Sequence, residues 1–301
     1  MQDFLKEVEK EDIGKVTKDV FISKYTTYKV GGLAKVIIYP KNIDKLVILC
    51  RLIKKYQLKY MVLGNGSNVL FSDKTYDGVI IKLDNFNKIE FVGNKVICGS
   101  GASLMKVSRE ALKRSLAGLE FASGIPASIG GAIYMNAGAY KSDMGYITTS
   151  VKVLTPDLKI ITLTNKEMAF HYRDSFLQHH KDYICLEATL RLEKGDKEAL
   201  EEVTKDRKER RVKTQPLTYP SAGSVFRNPD DVPAGKLIDD LGLKGLTKGG
   251  AEVSKVHANF IINKNEASAK DIHDLMLFVK EAVKEHYGID LKIEQEFINW
   301  E

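Results

Sequence analysis

A glycine-rich segment near the middle of the chain restricts the fold more than any other feature. Residues 121–140 read FASGIPASIGGAIYMNAGAY, and Gly124, Gly130, Gly131 and Gly138 interrupt any long helix or strand. Glycine and other small residues let a backbone approach a bulky ligand or a neighbouring segment closely. The segment therefore predicts a close contact in the folded chain, either with a ligand or with the protein's own backbone.

The rest of the 301-residue chain alternates between short strand and helix patterns. Apolar periodicity predicts strands at residues 34–39, 60–64, 78–83, 87–93, 94–101, 183–193, 258–263 and 289–298, a hairpin over 150–164, and helices over 42–56, 103–116, 236–241 and 268–287. Eleven of the fifteen residues from 197 to 211 are charged, which is typical of a solvated helix and predicts a domain hinge. The first strand, helix and second strand form the beginning of a βαβ unit, and a chain of this length is expected to form two domains or three small ones.

Composition and charge exclude several classes of protein. The 46 basic and 40 acidic residues give a net charge of +6, which is too small and too evenly mixed for a nucleic-acid binder. The apolar runs fall short of the roughly 18 residues of a membrane helix and the amino terminus has no apolar signal core, so a cytoplasmic protein is expected. Cys50, Cys98 and Cys185 form no CxxC or histidine-spaced pattern, which indicates neither disulfides nor a metal site.

A second loop, GNGSN at residues 64–68, follows a predicted strand. Its consecutive backbone N–H groups, the hydroxyl of Ser67 and the amide of Asn68 suit a pyrophosphate, although such a loop is often only a turn. Gly99 and Gly101 begin a dinucleotide-like fingerprint, but its third glycine and its acidic residue are missing, which argues against a standard NAD site. Together with the glycine-rich segment, these loops favour one large, flat cofactor.

Two side chains outside these loops are candidates for chemistry. Arg173 lies in HYRDS, where its guanidinium could bind a carboxylate through two hydrogen bonds; a surface arginine is the alternative. Ser224 lies in SAGSVFRNP, where its hydroxyl could be held in a fixed loop; a plain turn is the alternative, and the lack of GxSxG disfavours a serine hydrolase. In the last strand, Glu294 and Glu296 share the polar face, which borders either solvent or a cleft.

Seven segments in order resemble one family, the UDP-N-acetylenolpyruvoylglucosamine reductases of peptidoglycan synthesis. They are TTYKVGGLA at 26–34, LGNGSNVL at 63–70, SGIPASIGGAIYMNAGAY at 123–140, YRDS at 172–175, QPLTYPSAGSVFRNP at 215–229, GGAEVSKVHANFIIN at 249–263, and the last strand at 289–298. The chain differs from the family pattern at Ala127, where glycine is common, and at Ile293 and Gln295, where proline and valine commonly flank the glutamate. It resembles the shorter subtype, which lacks an inserted tyrosine loop.

The resemblance implies an α+β fold with a vanillyl-alcohol-oxidase/PCMH-type FAD-binding domain of two lobes and a C-terminal α+β substrate-binding domain. The first domain would cover residues 20–193, divided near residue 84, and the second residues 194–301. It implies FAD and NADPH, with the FAD held noncovalently because all six histidines follow residue 170. The residues implied to contact the cofactor are Tyr28, Gly31, Gly32, Gly64, Asn65, Gly66, Ser67, Asn68, Gly99, Gly101, Ser123, Gly124, Ile125, Pro126, Ser128, Gly130, Gly131, Asn136, Gly138 and Ala139.

The resemblance also implies a reaction, in which hydride passes from NADPH to FAD and then to the enolpyruvyl group of UDP-N-acetylglucosamine enolpyruvate, yielding UDP-N-acetylmuramate. Arg173 and Glu294 would stabilise the intermediate, and Ser224 would donate a proton. Glu296 replaces Glu294 if the register of the last strand is shifted by two residues. The residues implied to contact the substrate are Arg211, Lys213, Arg227 and Asn228.

Two other functions stay open on the sequence alone. One is another FAD oxidoreductase of the same superfamily, such as a sugar-lactone oxidase, and the other is a nucleotide-binding regulator without catalysis. The expected partner is a small nucleotide-sugar substrate, with no nucleic acid and no membrane, and a monomeric state is favoured.

Overall fold

The computed structural model describes all 301 residues, Met1–Glu301. Its helices are α1 (Gln2–Lys10), α2 (Ile43–Lys55), α3 (Leu104–Lys113), α4 (Ile129–Tyr134), α5 (Met144–Ile147), α6 (Phe176–His179), α7 (Lys197–Thr214), α8 (Ala234–Asp240) and α9 (Ala269–Tyr287). Its strands are β1 (Gly14–Phe21), β2 (Leu33–Pro40), β3 (Tyr60–Val62), β4 (Val69–Phe71), β5 (Tyr76–Ile81), β6 (Ile89–Val92), β7 (Lys95–Gly99), β8 (Leu116–Ala117), β9 (Gly138–Ala139), β10 (Ser142–Asp143), β11 (Thr148–Leu154), β12 (Ile160–Thr164), β13 (Ile184–Arg191), β14 (Glu193–Lys194), β15 (Thr247–Lys248), β16 (Ala251–Val253), β17 (Ile261–Asn263) and β18 (Glu296–Ile298). None of the helices is both long and apolar enough to span a membrane.

Most of the predicted elements are present. The predicted hairpin is confirmed as the antiparallel pair β11 and β12, and the charged segment is confirmed as helix α7, in which only Leu200 is buried. The sequence patterns do not predict α1 or β1. The last strand is shorter than predicted, because only β18 is paired as a strand and the residues before it form one isolated bridge between Ile293 and Phe226.

The chain divides by its internal contacts into two compact units. Unit 1 comprises Met1–Lys18, Val36–Asn65 and Asp77–Glu209, and unit 2 comprises Asp19–Lys35, Gly66–Tyr76 and Arg210–Glu301. Two short segments from the first quarter of the chain therefore belong to the same unit as the carboxyl-terminal part. The last passage between the units lies within α7, the predicted hinge helix. The functional domain boundaries expected near residues 84 and 194 stay a prediction.

Unit 1 contains two larger sheets, each with its own hydrophobic core, and two two-stranded sheets, β10-β9 and β14-β8. The first sheet has the strand order β1-β2-β5-β3, and its core includes residues from α1 and α2. Helix α2 begins at Asn42, whose side chain accepts a hydrogen bond from the N–H of Lys45, and it buries Leu46, Leu49 and Ile53 on one face. The second sheet has the order β12-β11-β13-β7-β6, and its core includes residues from α3 and α4.

Unit 2 is built around the 19-residue helix α9. Ser268 and Asp271 form a capping box at its start, and Gly288 ends it with a φ of 68°, which favours glycine. The buried face of α9, which includes Ile272 and Leu275, packs against the sheet β15-β16-β17 and strand β4. Strand β4 pairs in parallel with β18. The helix and these strands therefore share one hydrophobic core.

Candidate active site

Two loops expected to bind a cofactor meet inside unit 1. The side-chain amide of Asn65 donates a hydrogen bond to the carbonyl of Pro126 over 3.1 Å. A Cβ atom added at Gly64 would lie 2.6 Å from the hydroxyl oxygen of Ser128, so a side chain here would force that hydroxyl to move. Lys82, which is only 6% exposed, donates from Nζ to the carbonyl of Gly64. The turn at Gly64 is thus fixed against the glycine-rich segment.

A third loop, around Ser100, joins the same place. The N–H of Gly130 donates to the carbonyl of Ser100 over 2.7 Å, and the N–H of Ile129 donates to that of Ala102 over 2.8 Å. The hydroxyl of Ser100 is buried and has no hydrogen-bond partner, which is uncommon for a buried polar group. The five residues Gly64, Ser100, Ser128, Gly130 and Gly131 are called the glycine cradle below.

The glycines of these loops serve two different purposes. A Cβ at Gly99 would lie 2.1 Å from the carbonyl oxygen of Phe86, and one at Gly101 would lie 2.0 Å from that of Leu83, so both glycines allow backbone packing inside the protein. At Gly131, by contrast, the only neighbour is the Ser128 hydroxyl at 3.4 Å. Close backbone packing therefore explains why glycine is required at the first two positions, whereas a Cβ at Gly131 would meet only the Ser128 hydroxyl.

Unit 2 contains some of the other residues expected at the cofactor, and several of these serve its own packing. Gly66 has a φ of 64°, and a Cβ there would lie 2.1 Å from the carbonyl oxygen of Tyr25. Gly32 packs on the backbone of Asp73, and Gly31 on the side chain of Ile22. The glycines thus shape the backbone of unit 2.

Tyr28 differs from its expected role. Its side chain has an exposure of 0% and lies in the core of unit 2, so it offers no surface for direct contact with a cofactor. Burial raises the pKa of Tyr28, and the neighbouring Gln295 opposes this effect.

The remaining cofactor candidates lie along the glycine-rich segment. Ser123 donates from its hydroxyl to the carbonyl of Glu120, and Gly124 is half-buried beside it. Ile125 packs against the core of the second sheet of unit 1. Ala139 pairs with Ser142 in the short ladder of β9 and β10.

Arg173 lies in a tight turn of unit 1. The backbones of His171 and Asp174 exchange two hydrogen bonds of 3.1 Å, and Arg173 between them has a φ of 56°, which is uncommon for a residue with a side chain. The guanidinium donates to the carbonyl of Gly138 over 2.8 Å. Asn136 donates to the carbonyl of His171 over 2.7 Å. Two residues expected at the cofactor, Asn136 and Gly138, therefore hold the Arg173 turn.

Ser224 and Glu294 lie on adjacent backbone segments of unit 2. The N–H of Glu294 donates to the carbonyl of Val225 over 2.8 Å, next to Ser224 in the chain. Gly223, immediately before Ser224, has a φ of 79° and open space around it, so the turn requires the left-handed conformation that glycine adopts readily. Sequence positions 224 and 294 are thus brought together by this backbone pairing.

Asn68 links the GNGSN loop to the same segment. Its side-chain amide donates to the carbonyl of Glu294 over 3.1 Å, and its own carbonyl accepts from the N–H of Glu296 over 3.0 Å. Glu296 is paired with Val69 in the ladder of β4 and β18. The backbone of Glu294 is therefore hydrogen-bonded to the Ser224 loop, whereas that of Glu296 is paired with β4. Ser67 is half-buried beside Asn68.

Sequence reasoning missed Asn259 as a support of the Ser224 loop. Its side chain accepts from the N–H of Phe226 over 2.9 Å and donates to the carbonyl of the same residue over 2.8 Å. Its backbone carbonyl accepts from the N–H of Val225 over 2.9 Å. The available signal was an asparagine inside the apolar run ANFII, because a buried amide requires hydrogen-bond partners.

Asn259→Ala is expected to lower the free energy of unfolding of unit 2 by about 2–4 kcal/mol, because it leaves a buried N–H and a buried carbonyl of Phe226 unpaired. Urea unfolding followed by the fluorescence of Trp300, the single tryptophan of the chain, reports on this unit. Asn265→Ala, at an exposed position of the same unit, is the control and should change stability by less than about 0.5 kcal/mol. Equal stability of the two variants would contradict the role of Asn259.

The expected substrate contacts also lie in unit 2. Arg211 and Lys213 are in the last turn of α7, with Lys213 exposed. The N–H of Arg227 donates to the carbonyl of Lys292 over 2.9 Å. The side chain of Asn228 accepts from the N–H of Ala234 over 3.1 Å and so orders the loop before α8. Arg227 is therefore held next to the Ser224 loop by the same backbone pairing as Glu294.

The three cysteines are not candidates for nucleophilic chemistry. Cys50, Cys98 and Cys185 are buried, and burial raises the pKa of each thiol to about 12. A thiol reacts as its thiolate, which is scarce at neutral pH when the pKa is so high.

The glycine cradle and the Ser224 loop each fall within a known domain family. Residues 34–164 match the family model of the FAD binding domain, and residues 215–298 match that of the UDP-N-acetylenolpyruvoylglucosamine reductase C-terminal domain. A glucose dehydrogenase, Phl p 4.0202, shares the fold over 65% of this chain with a TM-score of 0.51 at 15% identity. The α+β fold with a flavin-binding domain is confirmed, and the chain is a protein of the flavin-binding class.

Similarity over almost the whole chain identifies the family. The chain is 43% identical over 299 residues to the UDP-N-acetylenolpyruvoylglucosamine reductase of Bacillus subtilis (strain 168), with 99% of each chain covered. It is 43% identical over 283 residues to that of Clostridium perfringens (strain SM101 / Type A), covering 94% of this chain and 93% of the relative. The crystal structure of the reductase from Thermus caldophilus matches with a TM-score of 0.81 at 33% identity, covering 94% of this chain and 99% of that one. The chain belongs to the UDP-N-acetylenolpyruvoylglucosamine reductase family.

Proposed function

We propose that this protein reduces UDP-N-acetylglucosamine enolpyruvate to UDP-N-acetylmuramate with NADPH, as a flavoenzyme of peptidoglycan precursor synthesis. Identity of 43% over 99% of the chain with a reductase supports the activity. The observation that carries the mechanism is the hydrogen bond between Glu294 and Val225, which joins the segments of the two implied catalytic residues of unit 2. A monomer acting on this nucleotide sugar stays the expectation.

The residues of the glycine cradle fit the FAD that the family implies. The nearest atom to a Cβ at either Gly64 or Gly131 would be the Ser128 hydroxyl oxygen. The buried Ser100 hydroxyl has no partner within the protein and could hydrogen-bond to the cofactor. These residues would hold the cofactor through backbone N–H groups and hydroxyls, which suit phosphate oxygens. When bound, FAD supplies the hydride carrier between NADPH and the enolpyruvyl group. No histidine precedes residue 171, which supports noncovalent binding.

Three side chains of the protein would carry the remaining chemistry. Hydride addition leaves negative charge on the carbon next to the substrate carboxylate, and this charge must be stabilised. Arg173 supplies positive charge and hydrogen-bond donors, and Glu294 is the second group that would stabilise the intermediate. The Ser224 hydroxyl then donates a proton to that carbon, which is possible for so weak an acid because the carbanionic intermediate is very basic.

The substrate carries a diphosphate, which favours cationic contacts. Arg211, Lys213 and Arg227 provide such contacts, and Asn228 offers an amide beside them. Arginine binds phosphate oxygens through two parallel hydrogen bonds, whereas lysine acts as a point charge.

The purified protein is expected to be yellow, with one FAD per chain that acid precipitation releases into the supernatant. The reason is that hydrogen bonds of the cradle hold the cofactor without a covalent link. Visible absorption before and after precipitation measures both points. Flavin retained in the pellet, or a colourless protein that binds no added FAD, would reject the cofactor assignment.

Turnover tests the function itself. Oxidation of NADPH should require UDP-N-acetylglucosamine enolpyruvate and should yield UDP-N-acetylmuramate, identified by mass spectrometry. Turnover of a sugar lactone with oxygen instead would identify a different oxidoreductase. Flavin that NADPH does not reduce would indicate a regulator.

A further inference from the structure

Gln295 is a polar residue at an apolar position. Alternation along the last segment puts it on the face of Ile293 and Phe297, opposite to that of Glu294. Its side chain is 4% exposed. A buried amide is unfavourable unless it is hydrogen-bonded, so its partners indicate its purpose.

The partners of the Gln295 amide are three consecutive carbonyls of the loop that ends in Ser224. Its Nε2 lies 3.2 Å from the carbonyl oxygen of Ala222, 3.3 Å from that of Gly223 and 3.3 Å from that of Ser224. Because all three atoms are acceptors, they require the nitrogen of the amide to point towards the loop. Gly223 is in the left-handed conformation, so this donor stabilises a turn that the backbone adopts only with glycine or with strain.

The side-chain amide of Gln295 has a second polar atom. Its Oε1 is buried without a partner, and the hydroxyl of Tyr28 is likewise buried without one. Gln295 is close enough to Tyr28 to lower its pKa against the larger effect of burial. The two side chains are thus neighbours, so Gln295 lies between the Ser224 loop and a fully enclosed aromatic side chain of the core.

We propose that Gln295 is a positioning residue, which holds the Ser224 loop so that the hydroxyl stays aligned for proton transfer. The inference rests on the proposed role of Ser224 as proton donor. The backbone hydrogen bond between Glu294 and Val225 pairs the two segments just after Ser224 in the chain. The Gln295 amide holds the part of the loop from Ala222 to Ser224, which has no backbone hydrogen bond to the last segment.

Gln295→Met in the flavin-loaded enzyme tests the proposal, because methionine has a similar volume and no hydrogen-bond donor. Reduction of the flavin by NADPH should stay within about twofold of the unchanged enzyme. Formation of UDP-N-acetylmuramate from UDP-N-acetylglucosamine enolpyruvate should be slower by about 10 to 100-fold, with kcat reduced and KM little changed. The reason is that small misalignments of catalytic groups cost up to about 100-fold in rate. Leu291→Met, a buried change on the same face, is the control and should leave both rates unchanged.

A double-mutant cycle with Ser224→Ala distinguishes positioning from general damage to the core. If Gln295 acts through Ser224, then Gln295→Met should cause less than about a twofold further loss in the Ser224→Ala enzyme. The same 10 to 100-fold loss in both backgrounds would overturn the proposal. A Gln295→Met enzyme that turns over as fast as the wild-type enzyme would overturn the proposal as well.

Tyr28→Phe provides a second variant if Gln295→Met yields no folded holoenzyme. It removes only the hydroxyl next to Gln295 and should slow transfer to the substrate by about three to tenfold, again only when Ser224 is present. An equal loss in the Ser224→Ala background would count against the proposal. If the unchanged enzyme fails to reduce the enolpyruvyl substrate at all, the proposed function is rejected, and the role of Gln295 with it.

Discussion

Ser224→Ala is expected to slow overall turnover, the formation of UDP-N-acetylmuramate, by about 100 to 10,000-fold, the usual range for loss of a general acid. Reduction of the bound flavin by NADPH should be almost unchanged, because Ser224 is proposed to act only after hydride transfer. The large effect follows from the need to protonate a basic carbon at a defined position.

Anaerobic stopped-flow absorption measures the two half-reactions separately. Ser221→Ala is a suitable control, since it removes a half-buried hydroxyl three residues away in the same loop. Ser224→Cys retains a transferable proton and should recover part of the rate. A loss below about tenfold in Ser224→Ala would remove this serine from the mechanism.

Glu294→Gln is expected to slow the second half-reaction, oxidation of the reduced enzyme by the substrate, by about 100-fold or more. This is the range seen when one group that stabilises a transition state is lost. Glu296→Gln should be nearly neutral. The structure supports this order, because the Glu294 backbone pairs with Val225 beside Ser224, whereas Glu296 pairs with Val69 in strand β4. Both substitutions keep the size of the side chain and remove its charge.

The two glutamine variants serve as matched controls for each other, because both positions lie in the same segment two residues apart. Single-turnover oxidation of the reduced enzyme by the substrate is the measurement. The reverse order, with Glu296→Gln slow and Glu294→Gln fast, would transfer the role to Glu296 and would mean that the chain uses a register shifted by two.

The pairing of Asn68 with Glu294 connects two motifs that are 226 residues apart in the chain. The GNGSN pattern predicts a pyrophosphate loop, but only its first two residues lie in unit 1 with the glycine cradle. The third residue begins a segment of unit 2, in which Asn68 secures the backbone of Glu294. A single short loop therefore supplies Gly64 of the glycine cradle at one end and Asn68, which supports Glu294, at the other.

Local patterns predicted the elements that depend on near neighbours in the chain. The turn at residues 155–159 and the alternation around it determine the hairpin of β11 and β12. The Asn42 cap and the apolar spacing determine α2, and the capping box and terminal glycine determine α9. The last segment was predicted as too long a strand, because alternation does not reveal whether a partner strand is available along its whole length.

The amino-acid sequence alone indicates the chemistry that is present, namely the glycine loops, the arginine of HYRDS, and a serine and a glutamate in two motifs of one family. Which glycines leave space and which pack on the backbone depends on the folded chain, because atoms such as the carbonyl of Phe86 are distant in the sequence. The fold also shows that Asn259 and Gln295 support the Ser224 loop. Their hydrogen bonds join residues 33 and about 70 positions apart, and such partners follow from how the core packs and not from any local pattern.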